Sequence, residues 1–122
     1  MELSQITKTL VSEIKLTEIQ AKIFLHIVIN GRMKTSQISS DLHIPLDEAT
    51  QNSKKLVELG GFIDMPDDEF EAMHPRFTAV NMYRKMCERE QKEFKKNLTI
   101  DNIGVALEVS YDDARTKYNK KK

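Results

Sequence analysis

The 122-residue sequence predicts a mainly α-helical fold with one small β-hairpin, on three observations. Apolar residues recur at three- and four-residue spacing along most of the chain, the period of helices with one buried face. After Gly60-Gly61 that period gives way to two short runs separated by turn residues. Beyond them the helical period returns and lasts almost to the basic end.

The elements follow in order. Leu3, Ile6, Leu10, Val11 and Ile14 make a first amphipathic helix. Thr17 followed three residues later by Gln20 is a capping box, which satisfies two orphan backbone donors reciprocally. It opens a strongly apolar helix through Ile19, Ala21, Ile23, Phe24, Ile27 and Val28, which Asn30-Gly31 stops in left-handed geometry. Arg32-Met33-Lys34 reads as a short extended stretch, and Thr35 as the cap of a brief helix carrying Ile38 and Leu42. His43-Ile44-Pro45 interrupts that helix, since proline disfavours helical geometry in the residue before it and suits the first turn after it. The next helix runs from about Leu46 to Leu59, with Leu46, Ala49, Ser53, Leu56 and Val57 inward and Asp47, Glu48, Gln51, Lys54, Lys55 and Glu58 outward.

Phe62–Met65 and Phe70–Met73 read as strands about a Pro66–Glu69 turn. The stretch His74–Val80 either extends the second strand or leaves it at Pro75. A long polar helix is expected over about Asn81–Asn97, then a last helix with Ile103, Ala106, Leu107 and Val109, capped by Thr99 or Asp101. TKYNKKK reads as a frayed end. The expected division is residues 1–80 for the hairpin-bearing domain with its N-terminal helix, and 81–122 for a helical extension.

The chain carries nineteen Lys and Arg against nineteen Asp and Glu, but unevenly. Residues 1–60 hold seven of each sign; residues 61–79 hold one basic and five acidic; residues 80–122 hold eleven basic and seven acidic. No apolar run approaches the roughly 18–20 residues that cross a bilayer, and the first residues lack the layout of a secretion signal. One cysteine, Cys87, excludes an intrachain disulfide and suits a reducing, cytoplasmic setting. No phosphate loop, nucleophile elbow or paired catalytic carboxylates occur, so no enzyme activity and no cofactor are expected. His43 and His74 have no second ligand at metal-binding sequence spacing, and His26 reads as a partly buried or dimer-facing side chain. Asp67-Asp68-Glu69 lacks the spacing of a calcium loop.

Helix, short helix, three-residue turn, helix, double glycine and hairpin is the order of a winged helix-turn-helix, in which the second helix of the pair lies in the major groove. The run from Leu16 to Met65 also resembles the DNA-binding domain of archaeal TrmB-like transcriptional regulators. The matching residues are Leu16-Thr17-Glu18, Ala21-Lys22-Ile23-Phe24-Leu25, Thr35-Ser36-Gln37-Ile38, Ile44-Pro45, Leu56 and Gly60. Arg76-Phe77-Thr78-Ala79-Val80 stands where such regulators have an aromatic-centred "YRAV" strand. The resemblance spans about residues 16–85 and implies a sequence-specific, double-stranded-DNA-binding regulator. Larger members carry a following effector domain for which this chain has no room, so no sugar or other small-molecule ligand is implied.

For DNA, Gln51 is the best base reader, because its amide pairs bidentately with adenine; Thr50 and Asn52 flank it. Arg32, Lys34, Lys54 and Lys55 are candidate phosphate clamps, and Ser36 and Gln37 candidate phosphate donors on the bracing helix. Two features depart from expectation. Asp47-Glu48 opens the reading helix, where they complement its dipole, and the wing (Asp64, Asp67, Asp68, Glu69, Glu71) is acidic. A homodimer is expected through Leu3, Ile6 and Leu10 of the first helix and Tyr83, Cys87 and Phe94 near heptad spacing, with Ile14 and Val80 beside them; the alternative is that both helices simply cover the monomer's own core. The competing reading is a protein-interaction module whose acidic wing docks on a basic partner such as transcription machinery. Nonspecific DNA coating is disfavoured by the zero net charge.

Overall fold

A computed structural model describes residues 2–120, with side chains described as far as Lys117. Its elements are α1 (Leu3–Glu13), α2 (Glu18–Asn30), β1 (Met33–Lys34), α3 (Thr35–Leu42), α4 (Leu46–Leu59), β2 (Ile63–Met65), β3 (Glu69–Glu71), α5 (Pro75–Arg89) and α6 (Leu98–Lys120). The fold is mainly helical with a three-stranded antiparallel sheet in the order β1-β3-β2. Phe70 sits opposite both Met33 and Asp64, so the wing hairpin is joined to the chain ahead of α3.

Helix α2 is central because it is apolar on most sides. Ala21, Ile23, Phe24, Leu25, Ile27 and Val28 are all buried. Its capping box forms, with the Thr17 hydroxyl accepting from the Gln20 amide at 3.2 Å and the Thr17 amide donating to Gln20 Oε1 at 3.0 Å. Phe24, Phe62 and Phe70 stack in series with 6.1 Å between successive ring centres, tying α2 to the wing. Helices α5 and α6 close the other side of the same core through Ala79, Met82, Ile100, Ile103, Leu107 and Tyr111. The expected boundary at residue 80 falls inside α5.

Several local expectations are corrected. Lys34, not Thr35, precedes the first turn of α3, and Thr35 is buried within that turn. Leu46 is 53% exposed, so the inward face of α4 is Ala49, Ser53, Leu56 and Leu59. Residues 76–80 form no strand. Pro75 occupies the first helical position of α5 and the His74 ring accepts the Arg76 amide at 3.2 Å, so the chain turns into a helix at that point. The Asn81–Asn97 helix ends at Arg89, where Gln91 takes a left-handed φ of 55°. Asn97 Oδ1, rather than Thr99 or Asp101, caps α6 by accepting the Thr99 and Ile100 amides at 3.0 and 3.4 Å. Helix α6 continues to Lys120 through most of the end expected to fray; Lys121 and Lys122 lie outside the described residues.

One close approach fixes the α5–α6 pairing. A Cβ on Gly104 would stand 2.6 Å from the Arg76 Cα, so only glycine lets these backbones meet.

Candidate nucleic-acid interface

The α3–α4 pair presents its polar sides outward. On α4, Asp47, Gln51 and Lys55 are four residues apart and all exposed, so they stand in line on the solvent face with Lys54 and Glu58 beside them. Gln51 therefore projects between a carboxylate toward the start of the helix and an ammonium toward its end. Lys55 Nζ lies 3.2 Å from Glu58 Oε2, an exposed pair whose attraction water largely screens. Among the described residues Lys54 makes no ion pair and is exposed.

The flanking candidates divide. Asn52 turns toward α2, donating to the Glu48 carbonyl at 2.9 Å and accepting from Gln20 Nε2 at 3.4 Å, and Thr50 donates its hydroxyl to the Leu46 carbonyl at 2.9 Å. Both side chains are engaged by the protein, whereas Gln51 is exposed. Ser36 and Gln37 are exposed on α3, and Lys34 is exposed at the end of β1. Arg32 is ion-paired with Glu69 of the wing, both side chains about three-quarters covered, so its charge is shared with β3 rather than offered whole to a phosphate. These residues line a polar cleft of about 530 Å³ bounded by Asn30, Arg32, Lys34, Ser36, Gln37 and Asp41.

One link at this cleft was missed in the sequence. Asp41 Oδ2 lies 2.7 Å from His26 Nε2, and its Oδ1 accepts from Gln37 Nε2 at 2.6 Å. Asn30 Nδ2 lies 3.2 Å from His26 Nδ1 and can only donate there, which leaves Nε2 as the ring nitrogen that donates to Asp41. The His26 hydrogen bond holds the Asp41 carboxyl below its ordinary value. His26 is thus a partly buried tie between α2 and α3. The fifteen-residue separation of the partners carries no local signal.

The wing tip is a three-residue turn, with Asp67 and Asp68 in left-handed conformation at φ 65° and 59°. Asp64, Asp67 and Asp68 are exposed, and the Asp68 carbonyl accepts the Thr35 amide at 3.2 Å, seating the wing beside the start of α3. A carboxylate cluster here meets phosphate unfavourably.

The expected dimer surface is largely consumed by the fold. Ile6, Leu10 and Cys87 are buried in the chain's own core and present nothing to a second copy. Tyr83 is half-buried against Phe94, ring centres 6.0 Å apart, and Phe94 lies between α5 and α6 rather than on a helical seam. Leu3 alone of the α1 set is exposed.

Tertiary packing also joins His74 to Glu108 and Asp112, with potential ligand atoms within 4.8 Å of one another, a grouping their sequence spacing did not reveal. Because His74 Nδ1 accepts the Arg76 amide, a neutral ring carries its proton on Nε2, 3.6 Å from Glu108 Oε1. The pair brings the start of α5 beside α6. No helix among the described residues is long and apolar enough to cross a membrane. Comparison of the chain with protein-family models, with curated proteins and with solved structures gives no match.

Proposed function

We propose that the chain is a sequence-specific DNA-binding transcriptional regulator that reads a major groove with α4. The observation that carries this reading is the outward row on α4. Gln51 stands clear of the protein, with Lys54 and Lys55 following it and the exposed Ser36, Gln37 and Lys34 on the bracing side. A glutamine amide reads adenine, while the lysines and hydroxyl supply sequence-independent phosphate contacts.

The test is selection from a pool of duplexes with a randomised centre, followed by titration of the enriched duplex between about 50 and 200 mM salt. Enrichment of a defined motif, with affinity falling linearly in log salt, supports the reading. No binding at the lowest salt overturns it. Gln51→Ala is expected to flatten base preference by about 1–3 kcal/mol at one position. Lys55→Ala is expected to weaken all duplexes alike and lower the salt slope by about one. Identical behaviour of the two variants would remove α4 as the reading face.

A second reading has its own observation. Ile63, Met73 and Phe77 are 39%, 44% and 54% exposed around a groove of about 180 Å³ beside the acidic wing. A basic, apolar-faced peptide from a protein partner would match that surface.

A further inference from the structure

Helix α6 is apolar on two opposite sides. One stripe, Ile100, Ile103, Leu107, Tyr111 and Ala114, is buried against the rest of the chain. At 100° per residue the opposite side carries Leu98, Asn102, Val105, Val109, Asp112 and Thr116, spaced alternately by four and three residues. Leu98, Val105 and Val109 are 67%, 49% and 70% exposed, and Ala106 beside them is exposed too. A four-three repeat is the spacing at which one helix packs along another.

We infer that this outer stripe of α6 pairs with the same stripe of a second copy, the two helices antiparallel about a two-fold axis near residues 103–104. Charge selects both the partner and the direction. Lys95 and Lys96 precede the helix, each in an exposed, water-screened pair within its own chain (Glu93 at 3.6 Å, Asp101 at 3.8 Å), while the exposed Asp112 and Asp113 stand in its second half ahead of Arg115 and Lys117. In a parallel pair the aspartates would face aspartates and the lysines lysines, which is repulsive. In the antiparallel pair Leu98 meets the partner's Val109, Val105 meets the partner's Asn102, and Lys95, just ahead of the helix, lies toward the end of the partner helix that carries Asp112. The arrangement is self-complementary, as a two-fold interface requires. It replaces the α1 and Cys87 surface that the core has taken up.

The pairing does not depend on what α4 contacts, so a chain that dimerises and ignores DNA keeps this inference while losing the regulator reading. Sedimentation equilibrium of the full chain across micromolar concentrations is expected to show a monomer–dimer equilibrium. Val109→Glu should leave the protein monomeric over the same range with an unchanged far-ultraviolet circular-dichroism spectrum, since the side chain is 70% exposed, and with a melting temperature that no longer rises with protein concentration. Asp112→Lys should weaken the dimer about tenfold, and adding Lys95→Asp should restore it. Direction is read by cross-linking, with Cys87 buried out of reach. In the antiparallel pair two copies of residue 98 lie eleven residues apart along the axis, about 16 Å, whereas a disulfide needs Cα atoms within about 7 Å. The double variant Leu98→Cys/Val109→Cys should therefore form covalent dimers and neither single variant should. A wild-type monomer throughout, a dimer indifferent to Val109→Glu, or efficient cross-linking of Leu98→Cys alone each overturns the pairing.

Discussion

Ser53 faces Ala49 and Leu56 on the buried side of α4, and among the described residues its hydroxyl has no hydrogen-bond partner. Burying an unsatisfied hydroxyl costs about 1–3 kcal/mol. Alanine removes that cost and has the higher helix propensity, against the loss of one small atom's contacts. Ser53→Ala is therefore expected to stabilise the protein by about 1 kcal/mol, read as a higher urea midpoint at unchanged slope. A fall in stability would mean that the hydroxyl is satisfied in solution. Spacing alone places this position on the inner face, and the helical period carries that much. Whether the hydroxyl meets an acceptor depends on neighbours from other elements, which periodicity does not carry. The same contrast separates Thr17 from Asn52. The Thr17 capping box closes within three residues and was legible in the sequence. Asn52 is withdrawn from the solvent face partly by Gln20, thirty-two residues away, and was not.

Between elements, two contacts decide how the helices are held. Helices α5 and α6 touch where Gly104 lies over the Arg76 backbone, and a Cβ there would stand 2.6 Å from the Arg76 Cα. Replacing a helical glycine by alanine ordinarily gains about 0.5–1 kcal/mol. Here the obstacle is backbone, which cannot rotate away, and overpacking costs of about 1–3 kcal/mol outweigh that gain. Gly104→Ala is expected to lower the unfolding midpoint; a rise would show that α6 can slide off α5 freely. The second contact is His26–Asp41, joining α2 to α3. Asp41 is held below its ordinary value of 3.8, so its contribution is present above that pH and is lost as pH falls through the lowered value. Wild type and Asp41→Asn should differ in stability at neutral pH, and the difference should shrink as pH falls below 3.8 and on through the lowered value. A difference that persists undiminished in strong acid would refute a carboxylate role. Element boundaries were legible where a cap or a glycine marks them, as at Thr17, Gly31 and Gly60. They were lost at residues 75–97, where Pro75 serves equally to end a strand or begin a helix, and where the polar run Glu90–Lys96 hides a break under helix-favouring residues.

For the molecule as a whole, the charge layout and the choice of dimer face test different things. Apolar spacing in the sequence revealed that some helix would have a face to share. It did not reveal which, because Ile6, Leu10 and Cys87 follow the helical period as well as Leu98, Val105 and Val109 do, and only the packed chain shows which set it covers itself. Charge segregation, in contrast, is plain in the sequence, and the structure gathers it at the wing. Asp64, Asp67 and Asp68 are exposed, and the wing is anchored to the start of α3 through the Thr35–Asp68 hydrogen bond, on the side that carries Lys34, Ser36 and Gln37. If α4 enters a major groove, these carboxylates oppose the phosphates and are screened only over about 10 Å at 0.1 M salt. The variant Asp64→Asn/Asp67→Asn/Asp68→Asn is then expected to bind duplex DNA about tenfold more tightly than wild type at low salt, with the advantage shrinking as salt is raised. The substitutions are nearly isosteric and asparagine tolerates the left-handed φ of residues 67 and 68, so the comparison isolates charge. Unchanged DNA affinity together with loss of a basic peptide ligand would instead make the wing the working surface and α4 a scaffold behind it.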